Sequence, residues 1–319
     1  MPADSRAPRL PLRASDLRGL ALLAQTGTFG LGSSEHIGGA GFSLVEEMLV
    51  FTALGRHLVT PSALATTIAG RMAQTMGHPD MAADIVAGRL PVCPVIAAGA
   101  CSFESVDGTP AYLLDAHSNG LALLWNTQGL MLFHVHQLPV SGRVAGCDRS
   151  VVLDRSTLSE AALIGKLRAS DSQLSLEAQW RMAAQVLGIA EATCTMAVDY
   201  AKVRKQFGQP IGAFQAIKHA CADMLVQAEV LRAQACMAAI ALRDGWADAA
   251  FQVEAFRILA TGYALDNARR NIQVHGAMGF TAECDAHHYL LRAHLYEHLG
   301  GSIAEPTGRM TELQPVPSM

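Results

Sequence analysis

The sequence has 319 residues, 50% of them hydrophobic and 16% charged, with 24 basic against 28 acidic side chains. Such low charge and high apolar content exclude a disordered chain, and the length allows about two domains of ordinary size. A formal net charge of -4 with no basic block gives no electrostatic footprint for a nucleic acid. No apolar run reaches the roughly 18 uninterrupted residues that read as a membrane span. Arg6, Arg9, Arg13 and Arg18 stud the N-terminus, but prolines and Asp16 interrupt any signal-peptide core. The expectation is a cytoplasmic globular protein. Seven cysteines lie scattered without a Cys-x-x-Cys pair, which argues against a disulfide framework and against a zinc knuckle.

Along the chain, residues 16–88 read as helices. Leu64, Ile68 and Met72 repeat at helical spacing, and Pro61 and Pro79 suit helix starts. The glycines between Gly30 and Gly41 lack the preceding strand and spaced acid of a dinucleotide fingerprint, so they read as a turn before a helix. Residues 89–158 change texture. Short apolar runs at Val92 to Ala98, Tyr112 to Leu114, Leu121 to Trp125 and Leu130 to Val135 alternate with turn residues, the pattern of a small β domain. Its size implies that it packs on helices.

Residues 159–319 read as a helical bundle with an irregular tail past Gly301, where Pro306, Pro315 and Pro317 oppose a helix. A long helix runs from Leu176 to Val203. After a glycine- and proline-containing loop, Phe214, Ile217, Cys221, Met224, Ala228, Leu231 and Ala235 form one stripe of a second helix. Further helices run from about Ala247 to Val274 and from Asp285 to Leu299. Short connections between long helices imply antiparallel neighbours. The fold class is α+β, mainly α: N-terminal helices (1–88), a reduced β domain (89–158) and a four-helix bundle (159–319).

Two motifs in the bundle carry a resemblance. Arg204-Lys205-Gln206-Phe207-Gly208-Gln209-Pro210-Ile211 with Phe214-Gln215, and Gln273-Val274-His275-Gly276-Ala277-Met278-Gly279-Phe280-Thr281 with Glu283, resemble the two signatures of acyl-CoA dehydrogenases. The order of domains is similar as well. The resemblance implies FAD as cofactor, with one subunit's bundle holding the adenosine–pyrophosphate half of a neighbour's flavin. It assigns Arg204 to the pyrophosphate, Phe207 to packing on the cofactor, Gln215 and Gln273 to amide hydrogen bonds, and Gly276 to close backbone approach. Ala277 stands where the family usually has a second glycine.

Other positions depart from that family. Counting from Gln273, the family's catalytic glutamate falls on Gly300, or on Leu299 with a one-residue slip; its other home, counted back from Arg204, falls on Ala178. None can take a proton. The stretches that cover the flavin ring are not found between Gly88 and Leu158. The combination resembles the short subunit of heteromeric α2β2 acyl-CoA dehydrogenases of actinobacterial steroid side-chain breakdown. This implies a full-length partner that supplies the base and holds most of the acyl-CoA, an electron-transfer acceptor, and half the usual flavin per tetramer.

Two readings compete with this one: a self-sufficient homomeric dehydrogenase using Glu177 as base, and a flavin-free scaffold. A third pattern, His294-Leu295-Tyr296-Glu297-His298, matches inverted zinc peptidases. Few carboxylates follow it to complete a ligand set, so no metal site is expected; His287-His288 is read with the same caution. His134 and His136 read as alternate positions on one sheet face.

Overall fold

A computed structural model describes residues 17–99 and 101–301. The expectations for the arginine-rich N-terminus and for the proline-containing tail lie outside the described residues.

Four α-helices come first among the described residues: α1 (Leu17–Gln25), α2 (Leu44–Arg56), α3 (Pro61–Thr75) and α4 (Pro79–Val86). The start of α2 is set by Ser43, whose N–H donates to Glu46 Oε2 at 2.8 Å in a capping box. Thr60 Oγ1 accepts from Ser62 N at the start of α3, with Pro61 in its first turn.

Seven strands then form one sheet: β1 (Val92–Ala97), β2 (Pro110–Leu114), β3 (Leu121–Asn126), β4 (Gly129–His134), β5 (Val140–Val144), β6 (Leu153–Thr157) and β7 (Leu163–Arg168). Their spatial order is β5-β6-β2-β1-β3-β4-β7, and β1 and β3 pair parallel while all other neighbours are antiparallel. The sheet therefore runs past residue 158, where the sequence reading ended the β domain. Gly165, Lys166 and Arg168 dilute the apolar pattern of β7, as suits a strand at a sheet edge. β4 ends at His134, and Val135–Gln137 turns as a 3-10 helix. The His134 and His136 rings therefore flank a corner, 5.2 Å apart, rather than sharing a strand face.

The central strands of the sheet are buried on both faces, which explains the unbroken apolar runs of β3 and β4. Leu121, Leu123, Trp125, Leu130 and Leu132 join the helical core. Ala122, Leu124, Met131 and Phe133 pack beneath Phe103, Val106 and Leu138 on the other side. The small domain thus shares its core with the helices.

The bundle comprises α5 (Leu174–Val203), α6 (Gln215–Arg243), α7 (Ala249–His275) and the shorter α8 (Ala286–Tyr296). Helices α2 and α5 touch backbone to backbone. A Cβ on Gly55 would lie 1.8 Å from Gln185 O, and one on Gly188 would lie 2.1 Å from Thr52 O. Helix α8 is tied to two other parts of the chain by buried Arg292. Its guanidinium donates to Asp148 Oδ2 at 2.7 Å, Ser150 Oγ at 2.7 Å, Leu58 O at 2.9 Å and Val59 O at 2.8 Å. One charge thereby joins the β5–β6 loop, the α2–α3 loop and α8, with every contact a charge-assisted hydrogen bond.

The close α2–α5 crossing yields a first prediction. Gly188→Ala forces two backbones apart, and the overpacking costs about 2 kcal/mol. Urea unfolding should show a lower midpoint for this variant, while Gly262→Ala, where an added Cβ meets nothing within 4 Å, keeps the wild-type midpoint or raises it.

Candidate nucleotide-binding end and closed interior

α5 and α7 finish at the same end of the bundle. Tyr200 near the end of α5 stacks on His275 at the end of α7, with ring centroids 4.1 Å apart and planes at 23°. His275 is held in turn by Nδ1 against Asn271 O at 2.8 Å. This pairing brings together the two motifs that are about 70 residues apart in sequence.

After Arg204 the chain makes a two-residue hairpin, β8 (Lys205–Gln206) against β9 (Gln209–Pro210). Its turn residues, Phe207 and Gly208, have φ of 52° and 81°. Positive φ at both positions is the geometry of a type I′ turn, which glycine and asparagine accept and a bulky side chain resists. Phe207 pays that conformational cost while its ring stands 91% exposed, touching Phe214 edge-on at 6.0 Å. An outlier of this kind, with its side chain displayed to solvent, is where functional constraint is to be sought.

The remaining candidates share this end. Arg204, Gln215, Gln273, Gly276 and Ala277 are all exposed. Among the described residues the side chains of Arg204, Gln215 and Gln273 have no hydrogen-bond or ion-pair partner. Gly276 ends α7 at φ 63°, ψ −141°, a conformation L side chains rarely adopt, with open space where a Cβ would stand. Ala277 lies in the following 3-10 turn, Gly276–Phe280.

The sequence reading missed further parts of this surface. Met278 (46% exposed) and Phe280 (72%) project from the turn. A cavity of about 270 Å³ lies between the ends of α5 and α6, lined by Ala201, Lys202, Gly212, Ile217, Lys218 and Cys221 among others. From Lys202 to Ala222 the chain carries four basic residues and no acidic one, a local charge bias that was legible in the sequence. A free guanidinium, two free amides, an exposed aromatic ring and an open glycine turn fit the anionic, aromatic adenosine–pyrophosphate half of FAD.

The interior where the family's base is expected is built differently. Gly300, at φ 73°, is buried. A Cβ there would stand 2.8 Å from Gln179 Oε1 and 2.9 Å from Trp125 Nε1. Gln179 Nε2 donates to Gly300 O at 2.8 Å, and Arg257 Nη2 donates to Gly301 O at 2.5 Å. Ala178 and Leu299 are fully buried. Neither position that the family count assigns to a base is open: Gly300 is closed by the sheet and α5, and Ala178 is fully buried.

Glu177 lies on an unbroken α5 and faces α2 and α3. Arg71 Nη2 lies 3.1 Å and Arg181 Nη1 3.0 Å from its Oε2, and Arg71 also reaches Oε1 at 3.4 Å. Arg181 pairs further with Glu47 at 2.7 Å, both side chains being 0% exposed. Burial alone would raise the Glu177 carboxyl, but Arg181 and Arg71 outweigh it and hold it below the usual glutamate range. A carboxylate stabilised as the anion between two guanidinium groups is a poor proton acceptor.

The histidine motifs engage near neighbours. His294 Nδ1 contacts Glu297 Oε2 at 2.5 Å, and His298 is exposed. The His287 and His288 rings lie with centroids 4.0 Å apart and planes tilted by 40°. Among the described residues no three His, Cys, Asp or Glu side chains are placed to hold an ion.

Comparison with known proteins agrees with this architecture. Residues 171–305 match the family model "Acyl-CoA dehydrogenase, C-terminal domain". Acyl-CoA dehydrogenase IpdE2 of Mycobacterium tuberculosis is 31% identical over 281 residues, covering 86% of this chain and 79% of that protein. Acyl-CoA dehydrogenase FadE34 of the same organism is 34% identical over 289 residues. The match takes in 88% of this chain but spans only 40% of FadE34. Among solved structures, a variant of the Tcur3481–Tcur3483 steroid ACAD superposes with a TM-score of 0.76 at 22% identity, covering 93% of this chain and 88% of that one. Butyryl-CoA dehydrogenase from Megasphaera elsdenii gives 0.78 at 16% identity, with 93% and 89% coverage.

The Glu177 pairing sets an acid-stability expectation. Because its folded carboxyl titrates below the ordinary glutamate value of 4.5, its contribution is present above that pH and is lost as pH falls through the folded value. Glu177→Gln should therefore lower stability at pH 7 by about 3 kcal/mol and flatten the acid limb of a melting-temperature profile. A wild-type limb retained in the variant would contradict the pairing.

Proposed function

The chain belongs to the acyl-CoA dehydrogenase family, and from that premise we propose that it is a non-catalytic subunit of a heterotetrameric, FAD-dependent acyl-CoA dehydrogenase. The observation that carries this reading is the contrast between its two sites. The nucleotide-facing side chains stand free at the bundle end, while the position of its own base, Gly300, is closed by Gln179 and Trp125.

Bound FAD supplies the hydride acceptor for α,β-desaturation of an acyl-CoA. This chain's residues hold the far half of it. Arg204 neutralises the pyrophosphate with its planar fork of donors, and Phe207 and Phe214 offer aromatic faces beside the basic cavity. Gln215 and Gln273 donate amide hydrogen bonds, and the Gly276–Ala277 turn brings backbone close to the ligand. A full-length acyl-CoA dehydrogenase partner supplies the catalytic glutamate, covers the flavin ring and holds most of the acyl-CoA, and an electron-transfer acceptor reoxidises the complex in the cytoplasm.

Likeness to the steroid ACAD, which is named for two polypeptides, supports both the heteromeric reading and a steroid side-chain thioester as substrate. The homomeric alternative requires Glu177 as base, and the engagement of both its oxygens by arginine opposes this. The scaffold alternative leaves the exposed Phe207 and the unpartnered Arg204 without a purpose.

Arg204→Ala in the complex co-purified with a full-length dehydrogenase tests the assignment. Loss of one charge-assisted contact of about 2 kcal/mol should weaken flavin retention roughly thirtyfold, read by equilibrium dialysis and by the flavin absorbance of the complex. Unchanged flavin content and activity would remove Arg204 from the site.

A further inference from the structure

A cavity of about 110 Å³ lies away from both regions described above, in the groove where α2 and α6 flank α5. Met48 and Leu49 of α2 and Leu187 of α5 make its apolar walls. The volume is about what four water molecules occupy in the liquid, so it suits a small organic molecule and not a long acyl chain. Thr52 also lines it, only 9% exposed, and its hydroxyl has no hydrogen-bond partner. A threonine inside a helix can settle that demand by donating to the carbonyl one turn back. Thr66, Thr67, Thr75, Thr193, Thr195 and Thr261 all do so. Among the described α-helical threonines Thr52 alone does not, and a buried hydroxyl left unpaired is costly unless something enters to meet it.

The rim of this cavity is cationic. Arg56 reaches Glu191 Oε2 through Nε at 2.6 Å and Nη2 at 2.5 Å, and Arg232 Nη2 reaches Oε1 at 2.5 Å. Both oxygens of buried Glu191 are thereby occupied, and two guanidinium groups against one carboxylate leave a positive charge over. Arg56 Nη1 and Arg232 Nε and Nη1 have no hydrogen-bond partner among the described residues. Each arginine side chain is about half exposed. Glu229, 3.8 Å from Arg232, is itself 57% exposed, so solvent screens it. Helical side chains lean toward the N-terminus, which brings Arg56 back along α2 toward Thr52, one turn before it. We propose that this cavity binds a short-chain carboxylate bearing a hydroxyl or keto oxygen one or two carbons from its carboxyl group. The carboxylate takes the free N–H donors of Arg56 and Arg232, the short carbon chain lies against Met48 and Leu187, and the second oxygen pairs with the Thr52 hydroxyl. The arginines supply the attraction. Thr52 supplies the selectivity, because a ligand lacking the second oxygen leaves the buried hydroxyl unpaired. None of the residues assigned to the flavin takes part, so the proposal stands apart from that reading.

The test is isothermal titration calorimetry on the full chain, without flavin or a second protein, using 3-hydroxybutyrate, butyrate and 3-hydroxybutyramide. The wild type should bind 3-hydroxybutyrate about fivefold more tightly than butyrate, the difference of one hydrogen bond. It should bind the uncharged amide roughly tenfold more weakly than the hydroxy acid. Thr52→Val keeps the shape and removes the hydroxyl. This variant should bind the two acids alike, with a melting temperature unchanged or raised because an unpaired buried group is gone. Arg232→Gln should weaken both acids about tenfold and leave their ratio intact. A wild type that binds neither acid, or binds both equally, overturns the proposal. So does a preference that survives Thr52→Val, or acid binding that Arg232→Gln leaves unchanged, since the acid then sits elsewhere. If neither acid binds while Arg232→Gln weakens association with a full-length acyl-CoA dehydrogenase, the arginines serve a carboxylate of that partner and the small-molecule site is excluded.

Discussion

The absence of a side chain at Gly300 lets three parts of the molecule close on one another. Trp125 comes from the sheet, Gln179 from α5, and Gly300 from the segment after α8. A Cβ would fall within 3 Å of polar atoms of both neighbours, and the backbone there is in a conformation that favours glycine. Arg292 fixes the direction from which that segment arrives, by anchoring α8 to the loops before α3 and β6. The position that the family count gives to a proton-abstracting carboxylate is part of the packing that joins sheet to bundle.

The opposite end of the bundle follows another logic. There the chain leaves polar and aromatic groups without partners and holds Phe207 in a turn geometry that disfavours it. Folding alone gives no return for such an arrangement, whereas a ligand shared with another subunit does. The Tyr200–His275 stack and the short hairpin keep these groups on ordered backbone, so little of the binding energy is spent on ordering them. On the function proposed above, a packed interior at Gly300 and an exposed, unpartnered set of side chains at the bundle end suit a completing subunit.

Much of this was legible in the sequence, for a physical reason in each case. The helices of the bundle announce themselves through the 3.6-residue period, and the stripe from Phe214 to Ala235 is the face that α6 buries apart from its first turns. The two signatures survive as contiguous motifs because each forms one local turn. What stayed hidden depends on contacts distant in sequence. Nothing near Glu177 says that Arg71, more than 100 residues earlier, neutralises it. The edge strand β7 carries glycine and charges, so its pairing with β4 outweighs a weak local pattern. The second apolar face of α6 escaped the sequence reading, and the packed bundle shows it uncovered at Val226, Val230 and Met237.

The central claim is that this chain completes a flavin site that it does not itself contain. Flavin content per chain, measured by absorbance for the protein purified alone and after co-expression with a full-length acyl-CoA dehydrogenase, addresses it most directly. The account predicts no flavin in the first case and one FAD per pair of unlike chains in the second. One FAD per chain from this protein alone would contradict it and return the search for a base to Glu177.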